Sequence, residues 1–473
     1  MQDFRAPGDR MEEACGVFGM FDPKRERNVA QAAYYGLYAL QHRGQESAGI
    51  AVSDGEQIRH YRNKGLVWEV FDEDVLSTLN GHIAVGHVRY STFGGSDPIN
   101  AQPLVARYKG GTLALAHNGS LVNSLCLRTQ LEEEGAIFQT SVDTEVIITL
   151  LARMHGKTLE EAIAGMMQAV RGSYALVMMT RDQLVGIRDP HGIRPLCLGR
   201  AGDSYVLASE SCAFDAIDAE FVRDVRPGEV VIIDAQGLRS FHVPTPLESK
   251  LCIFEFVYFA RTDSIIDGVG VYAARKRAGQ RLAEGDDVEA DMVIGVPDSA
   301  LPAAIGYSEE SGIPYGEGLA KNRYVGRTFI QPEQGMRENS VRTKLNALAR
   351  NVRGKRIVMI DDSIVRGTTS KKIVEMLRMA GAREVHMRIS SPIVMHPCHF
   401  GIDTASGTEL IGSTRSVEEI CAYIGADSLK FLPQSCLLST VEGSGCGFCT
   451  GCFDGNYPMP TDDSLDAQPP LAR

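Results

Sequence analysis

No apolar run in the 473 residues approaches the roughly 20 needed to cross a bilayer, which excludes a helical membrane span. Positive charge is also scarce: 48 Lys and Arg stand against 60 Asp and Glu, a formal net charge of −12. Such a balance disfavours general affinity for nucleic acid, so any phosphate must be held by a local site. The leader MQDFRAPGDRMEEA lacks an apolar core, and this excludes a secretory signal. No G-x-x-x-x-G-K-[ST] occurs, so there is no nucleoside-triphosphate loop of that type. There is no internal repeat.

Cysteine, by contrast, is abundant, with 11 residues. In a chain without a secretory signal these thiols are expected to be reduced rather than paired, pointing to the cytosol and to metal ligation or nucleophilic chemistry. The length suffices for two or three domains.

Residues 15 to about 245 mix short strands with a few helices. HIAVGHVRYS, TLALAHNGSL, SYALVMMT, QLVGIRD, SYVLAS and EVVIIDAQG read as strands, and helical spacing fits 29–41, 143–154 and 159–170. This predicts an α+β layered arrangement. VPTPLESK, 243–250, marks a boundary because its prolines interrupt any ladder. Beyond it, the apolar strands ADMVIGV, KRIVMID and EVHMRIS alternate with helices near 272–284, 300–311, 369–380 and 416–424. That rhythm predicts a parallel α/β sheet with its ligand at the C-terminal strand ends. The polar, proline-containing TDDSLDAQPPLAR is expected to be a disordered tail.

RIVMIDDSIVRGTTS, 356–370, runs from a buried strand into two acids and then a loop rich in glycine and hydroxyls. The loop opens a helix, so backbone N–H groups and the helix dipole can hold a phosphate. Asp361 and Asp362 suit ribose hydroxyls or a metal, while Ser363, Arg366, Gly367, Thr368, Thr369 and Ser370 surround the phosphate position. The plainer reading is a strand–turn–helix with Thr368 as N-cap. The stretch resembles the phosphoribosyl pyrophosphate (PRPP) loop of type I phosphoribosyltransferases. Two more segments agree: Pro297, Asp298 and Ser299 at another strand end, and Lys321, Arg323 and Arg327, followed by Arg342 and Lys344, on a basic stretch able to close over pyrophosphate. The resemblance implies Mg²⁺ at Ser299, Asp361 and Asp362.

EEACGVFGMF places a thiol directly behind the leader. No histidine stands in a cysteine-protease context, so the available base is the α-amino group of Cys15 itself, whose ordinary pKa of about 7.7–8.0 suits proton transfer at working pH. That requires removal of residues 1–14. QHRGQESAGIA, GHVRYST, LAHNGSLVN and SVDTEV follow in order. Together with CGVFG they resemble the glutaminase domain of N-terminal-nucleophile (class II) glutamine amidotransferases. By that resemblance Cys15 is the nucleophile, Arg89 grips the glutamine carboxylate, Asp143 its α-amine, and Asn118 with the Gly119 N–H forms the oxyanion hole. Val142 stands where that pattern has serine.

The implied fold is an α/β/β/α glutaminase sandwich over 15–245 followed by a phosphoribosyltransferase domain over 250–457, with residues 458–473 as tail. This pairing resembles the glutamine PRPP amidotransferases, in particular their leader-processed iron–sulfur subgroup. The implied reaction takes ammonia from glutamine to PRPP, giving 5-phosphoribosylamine, glutamate and pyrophosphate at the first committed step of purine synthesis. No sugar-isomerase domain, SGG motif or flavin synthase domain is found. Alternatives are a PRPP-binding regulator without catalysis, or a glutaminase serving another phosphosugar.

GCGFCTGCFDG carries C-x-x-C-x-x-C, a spacing used by zinc and by iron–sulfur clusters alike, and His396 and His399 beside Cys398 keep zinc open. The resemblance implies a [4Fe–4S] cluster on Cys252, Cys398, Cys449 and Cys452, with Cys446 left out. Cys126, Cys197, Cys212, Cys421 and Cys436 read as core residues. The resemblance further implies a cytoplasmic homotetramer, inhibited by purine nucleotides, with no nucleic-acid or membrane partner.

Overall fold

The computed structural model describes residues 15–90, 97–244, 248–322, 345–402 and 409–461. The apolar run after Cys15 forms the strand Gly16–Phe21, every residue of which is buried. Alternation explains why. Val17 and Phe21 point into a core between two facing sheets, whereas Phe18 and Met20 point into a second core beneath the helix Val29–Ala39. The strand pairs antiparallel with Ile83–Arg89 on one side and Ser204–Ala208 on the other, inside a seven-stranded sheet. The facing six-stranded sheet contains Gly111–Leu121, Gly172–Met179, Leu184–Arg188 and Glu229–Asp234. Helices Thr144–Arg153 and Leu159–Ala169 cover its outer face through a third core. The result is the layered α/β/β/α order.

Polar edge strands escape the sequence reading. Ile58–Lys64, IRHYRNK, lies at the sheet edge with no fully buried residue, so it shows no apolar alternation.

In the second half four parallel strands run in the order Met292–Gly295, Arg356–Asp361, Glu384–Ile389 and Ser428–Phe431. Helices Val271–Ala283, Leu301–Ser311, Thr368–Met379 and Val417–Ile424 accompany them. Arg356–Asp361 is an inner strand, hydrogen-bonded on both sides, and its C-terminal end delivers Asp361 and Asp362 to the crevice. Ser428–Phe431 was absent from the expectation because SLKF is short and only half-buried throughout. Among the described residues no helix is long and apolar enough to cross a membrane.

The halves are stitched together by charge. Arg43 reaches Glu210 in its own half and Glu255 in the other, and Arg194 also meets Glu255 at 3.4 Å. All four side chains are fully buried. A buried ion network of this kind is costly to break, because removing one partner strands a charge in a dry interior.

Candidate active sites

The glutaminase residues converge from both sheets. Pairing of Gly16 with Val88 sets Cys15 beside the end of the neighbouring strand, where its Sγ points at the Tyr90 carbonyl oxygen at 3.5 Å. Cys15 is buried, and this pushes its thiol up to about 11. Arg89 and Arg194 pull the value down, while Asp143 and Glu46 push it up further. The thiol is therefore not preformed as thiolate at neutral pH, and any nucleophilic role for it requires a base to take its proton.

Asp143 lies at the start of the helix Thr144–Arg153. Burial pushes its carboxyl up, but the neighbouring His117 and backbone N–H donors outweigh this and hold it below the usual range. Its Oδ2 accepts the Leu121 N–H at 2.9 Å, and its Oδ1 lies 3.5 Å from His117 Nδ1. Val142 is buried in the adjoining apolar core, an environment that suits its apolar side chain. Asn118 is fully buried, yet neither its amide nitrogen nor its amide oxygen has a hydrogen-bond partner. An orphaned buried amide is expensive unless a ligand satisfies it. Gly119 has φ +144°, and a Cβ there would stand 2.1 Å from the Ser173 carbonyl oxygen, so only glycine fits.

The second site gathers at the end of Arg356–Asp361. Asp362 Oδ2 accepts from Ser299 Oγ at 2.5 Å and its Oδ1 from Ser363 Oγ at 2.8 Å, joining two strand ends. The Pro297–Asp298 peptide beside it is cis. Asp361 Oδ1 accepts the Asp362 N–H at 3.0 Å. Both acids are buried, each only 1 % exposed. Their own loop wraps them, so Ser363 serves as a carboxylate donor before it can serve a phosphate. Gly367, not Thr368, is the N-cap, and its φ of +79° requires glycine where a Cβ would come 2.9 Å from Ile411 Cδ1. The hydroxyls of Thr368, Thr369 and Ser370 then occupy the first helical turn, with Ser370 buried. Arg366 reaches Glu409 at 3.4 Å.

Lys321, ending the strand Leu319–Lys321, pairs with Asp298 at the neighbouring loop. Arg323, Arg327, Arg342 and Lys344 lie outside the described residues. Sequence reasoning missed Arg275. Burial pulls its guanidinium down to about 10, with Asp362 opposing, and it donates to the Phe256 and Ala260 carbonyls at 2.7 and 2.8 Å. Its only sequence signal is a basic residue on the apolar face of a helix.

The cysteines divide as follows. Cys252 pairs in parallel register with Cys449, and the Cys452 carbonyl accepts from the Met395 and His396 N–H groups at 2.9 and 3.0 Å. Cys398 Sγ accepts the Phe400 N–H at 3.4 Å. Burial pushes the Cys449 thiol up to about 12, with Cys398 adding to it, and the Cys452 thiol is raised by burial and by Cys252, Cys398 and Cys449. Among the described residues no three metal-ligating side chains close into a group that could hold a metal ion. Cys446 turns elsewhere, with Sγ 3.8 Å from Asp267 Oδ2. His399 sets its ring edge-on to Tyr457 at 4.9 Å. Of the cysteines read as core, Cys197 and Cys212 are buried, whereas Cys126, Cys421 and Cys436 are only partly so.

Comparison with known proteins matches a glutamine amidotransferase domain over residues 87–216 and a phosphoribosyl transferase domain over 263–390. The amidophosphoribosyltransferase of Bacillus subtilis is 51% identical, with 95% of this chain and 94% of that protein covered. That of Archaeoglobus fulgidus is also 51% identical, with 94% of this chain and 98% of the relative covered. A solved structure of glutamine PRPP amidotransferase from B. subtilis, complexed with ADP and GMP, superposes with a TM-score of 0.88, covering 94% of this chain and 98% of that one. Near-full-length identity of this order, over a chain that joins both domains, shows that it belongs to the amidophosphoribosyltransferase family.

Proposed function

We propose that the two sites act in series: glutamine is hydrolysed at Cys15 and the released ammonia is joined to PRPP at the Asp361–Ser370 loop. The overall reaction is that of an amidophosphoribosyltransferase, the first step of purine biosynthesis. The observation that carries the assignment of roles is Asn118, a fully buried amide with no partner, next to Gly119 in a site shared by Cys15, Arg89 and Asp143. In this reading Arg89 holds the substrate carboxylate and Asp143 its ammonium group. Cys15 Sγ adds to the amide carbon, its proton passing to the α-amino group and then to the departing ammonia. Asn118 Nδ2 and the Gly119 N–H meet the oxyanion. Water then hydrolyses the thioester to glutamate.

At the second site ammonia displaces pyrophosphate from the ribose. Asp361 and Asp362 orient the sugar, residues 363–370 hold its 5-phosphate, and Lys321, Arg327, Arg342 and Lys344 attend the pyrophosphate. Ser299, Asp361 and Asp362 suit a Mg²⁺ ion, which when bound neutralises pyrophosphate charge. Residues 1–14 are a cleaved leader, 15–245 and 250–457 the two domains, and 458–473 a tail. The protein acts as a cytoplasmic homotetramer under purine-nucleotide inhibition, a reading in keeping with the relative solved with ADP and GMP.

Incubation with glutamine, PRPP and Mg²⁺ is expected to release glutamate and pyrophosphate in equal amounts; glutamate without pyrophosphate would refute the coupling. Intact mass of active enzyme should begin at Cys15, since a peptide nitrogen is no base. Full activity with the leader attached would remove the α-amine from the mechanism.

Cys252, Cys398, Cys449 and Cys452 would hold a [4Fe–4S] cluster, a reading supported by the C-x-x-C spacing of Cys449 and Cys452 and by the parallel pairing of Cys252 with Cys449. The cluster when bound would tie the C-terminal segment to the rest of the chain, a structural role. Protein purified without oxygen should carry about four iron and four sulfide per chain. Stoichiometric zinc in colourless protein would reverse this.

A further inference from the structure

Gly119 is held between two neighbours that belong to opposite halves of the chain. On one side stands Ser173, whose carbonyl and hydroxyl would lie 2.1 and 3.0 Å from a Cβ at Gly119. On the other stands Gly401, where a Cβ would lie 2.7 Å from the Gly119 carbonyl carbon. Residues 398–402 thus form a strap from the second half, pressed onto the strand Gly111–Leu121 of the first. The Phe400 carbonyl oxygen fastens it, accepting from Ser173 Oγ at 2.8 Å and from Arg194 Nε and Nη2 at 3.1 and 2.5 Å. Three donors on one carbonyl, all buried, make an unusually committed contact for a loop. Ser173 Oγ also receives the Ser120 N–H at 3.3 Å, so one hydroxyl ties the strap to the residue after Gly119. Arg194 is anchored in turn by Glu255.

We propose that Ser173 and Arg194, through the Phe400 carbonyl, are positioning residues for the Gly119 oxyanion donor, so that glutaminase turnover depends on the seating of the 398–402 strap. The inference rests on the reading of Asn118 and Gly119 as the oxyanion hole. An N–H donor stabilises the developing oxyanion only if it is aimed before reaction, and small displacements cost rate rather than substrate affinity. The hydrogen bonds of Ser173 Oγ run to Phe400 and Ser120, not to Cys15. Its effect should therefore be confined to the tetrahedral step.

Three variants test this in the full-length enzyme. Ser173→Ala removes the hydroxyl that joins the strap to the strand carrying Gly119. Gly401→Ala pushes a methyl group into Gly119. Asn118→Ala deletes the proposed side-chain donor and reports on the oxyanion hole itself. Ser173→Ala and Gly401→Ala are each expected to lower the glutaminase kcat about tenfold, the effect of one lost hydrogen bond felt only in the transition state. KM for glutamine and ammonia-dependent transfer should stay within about twofold. The Ki of the γ-aldehyde analogue of glutamine, whose carbonyl carbon bonds to Cys15 Sγ while the thiol proton passes to the α-amino group, leaving a tetrahedral hemithioacetal alkoxide, should rise by the same factor as kcat falls. Asn118→Ala should cost about 10²- to 10³-fold.

If Asn118→Ala has that effect while both other variants keep wild-type kcat, the positioning role is refuted and the oxyanion hole stands. If Asn118→Ala changes nothing, the oxyanion reading fails and takes the inference with it. Parallel loss of both activities with a lowered melting temperature would mark Ser173 and Gly401 as merely structural, and would equally overturn the proposal.

Discussion

Replacing Cys15 by alanine is expected to lower glutamine-dependent synthesis by more than about 10⁴-fold, the scale on which loss of a covalent nucleophile is felt. Synthesis from high concentrations of ammonia should change by less than about twofold. The asymmetry follows from the layout. Cys15 sits at the start of a strand in the antiparallel sandwich, whereas Asp362 and its hydroxyl partners belong to the parallel sheet. The substitution removes one weak contact, Sγ to the Tyr90 carbonyl, and leaves the strand pairing untouched. Glutamate release, ammonia-dependent pyrophosphate release and a melting curve should be recorded together. Equal loss of both activities in a folded variant would show that the halves do not divide the chemistry.

The second large effect should come from removing one charge at the ribose loop. Asp361→Asn and Asp362→Asn are expected to lower PRPP turnover about 100-fold with either nitrogen donor, as phosphoribosyl transfer places positive charge on the ring while pyrophosphate leaves. The surroundings sharpen the forecast for Asp362. Its two oxygens accept from Ser299 and Ser363, hydroxyls that can reverse their roles and meet an amide, so the fold should survive the exchange. What cannot be replaced is the negative charge, whose field also reaches the buried Arg275 guanidinium. Basal glutaminase without PRPP should persist in both variants, and its stimulation by PRPP should weaken. Wild-type transfer rates would remove these acids from the active site.

Much of the chemistry was legible because it is written in contiguous stretches. The strand Arg356–Asp361, the loop that follows it and the helix opening at Thr368 lie within fifteen residues of sequence, together with the residues proposed to hold the phosphate. The burial of Asp361 and Asp362 was not legible, because it comes from their own loop folding back and from Ser299, 63 residues earlier. Nor does the sequence distinguish Cys446 from Cys449 by spacing alone. The structure separates them by where the backbone turns: Cys449 pairs beside Cys252, and Cys446 faces Asp267.

By itself the sequence determined most of the apolar strands and helices, though it missed Ser47–Ser53 and Ser124–Glu133, along with the order of the two domains and the short motifs proposed to bear the nucleophile and the phosphate ligands. Those properties depend on periodicity and on neighbours a few residues away, which propensity and side-chain spacing report directly. Only the tertiary structure decided how the halves meet. Arg43 to Glu255 spans 212 residues, Arg194 to Phe400 spans 206 and Ser173 to Phe400 spans 227. Contacts at that separation leave no periodic trace, since each partner reads locally as an ordinary polar residue. They form because folding buries both ends in one dry interface, where an unpaired arginine, glutamate or carbonyl would be too costly to leave alone.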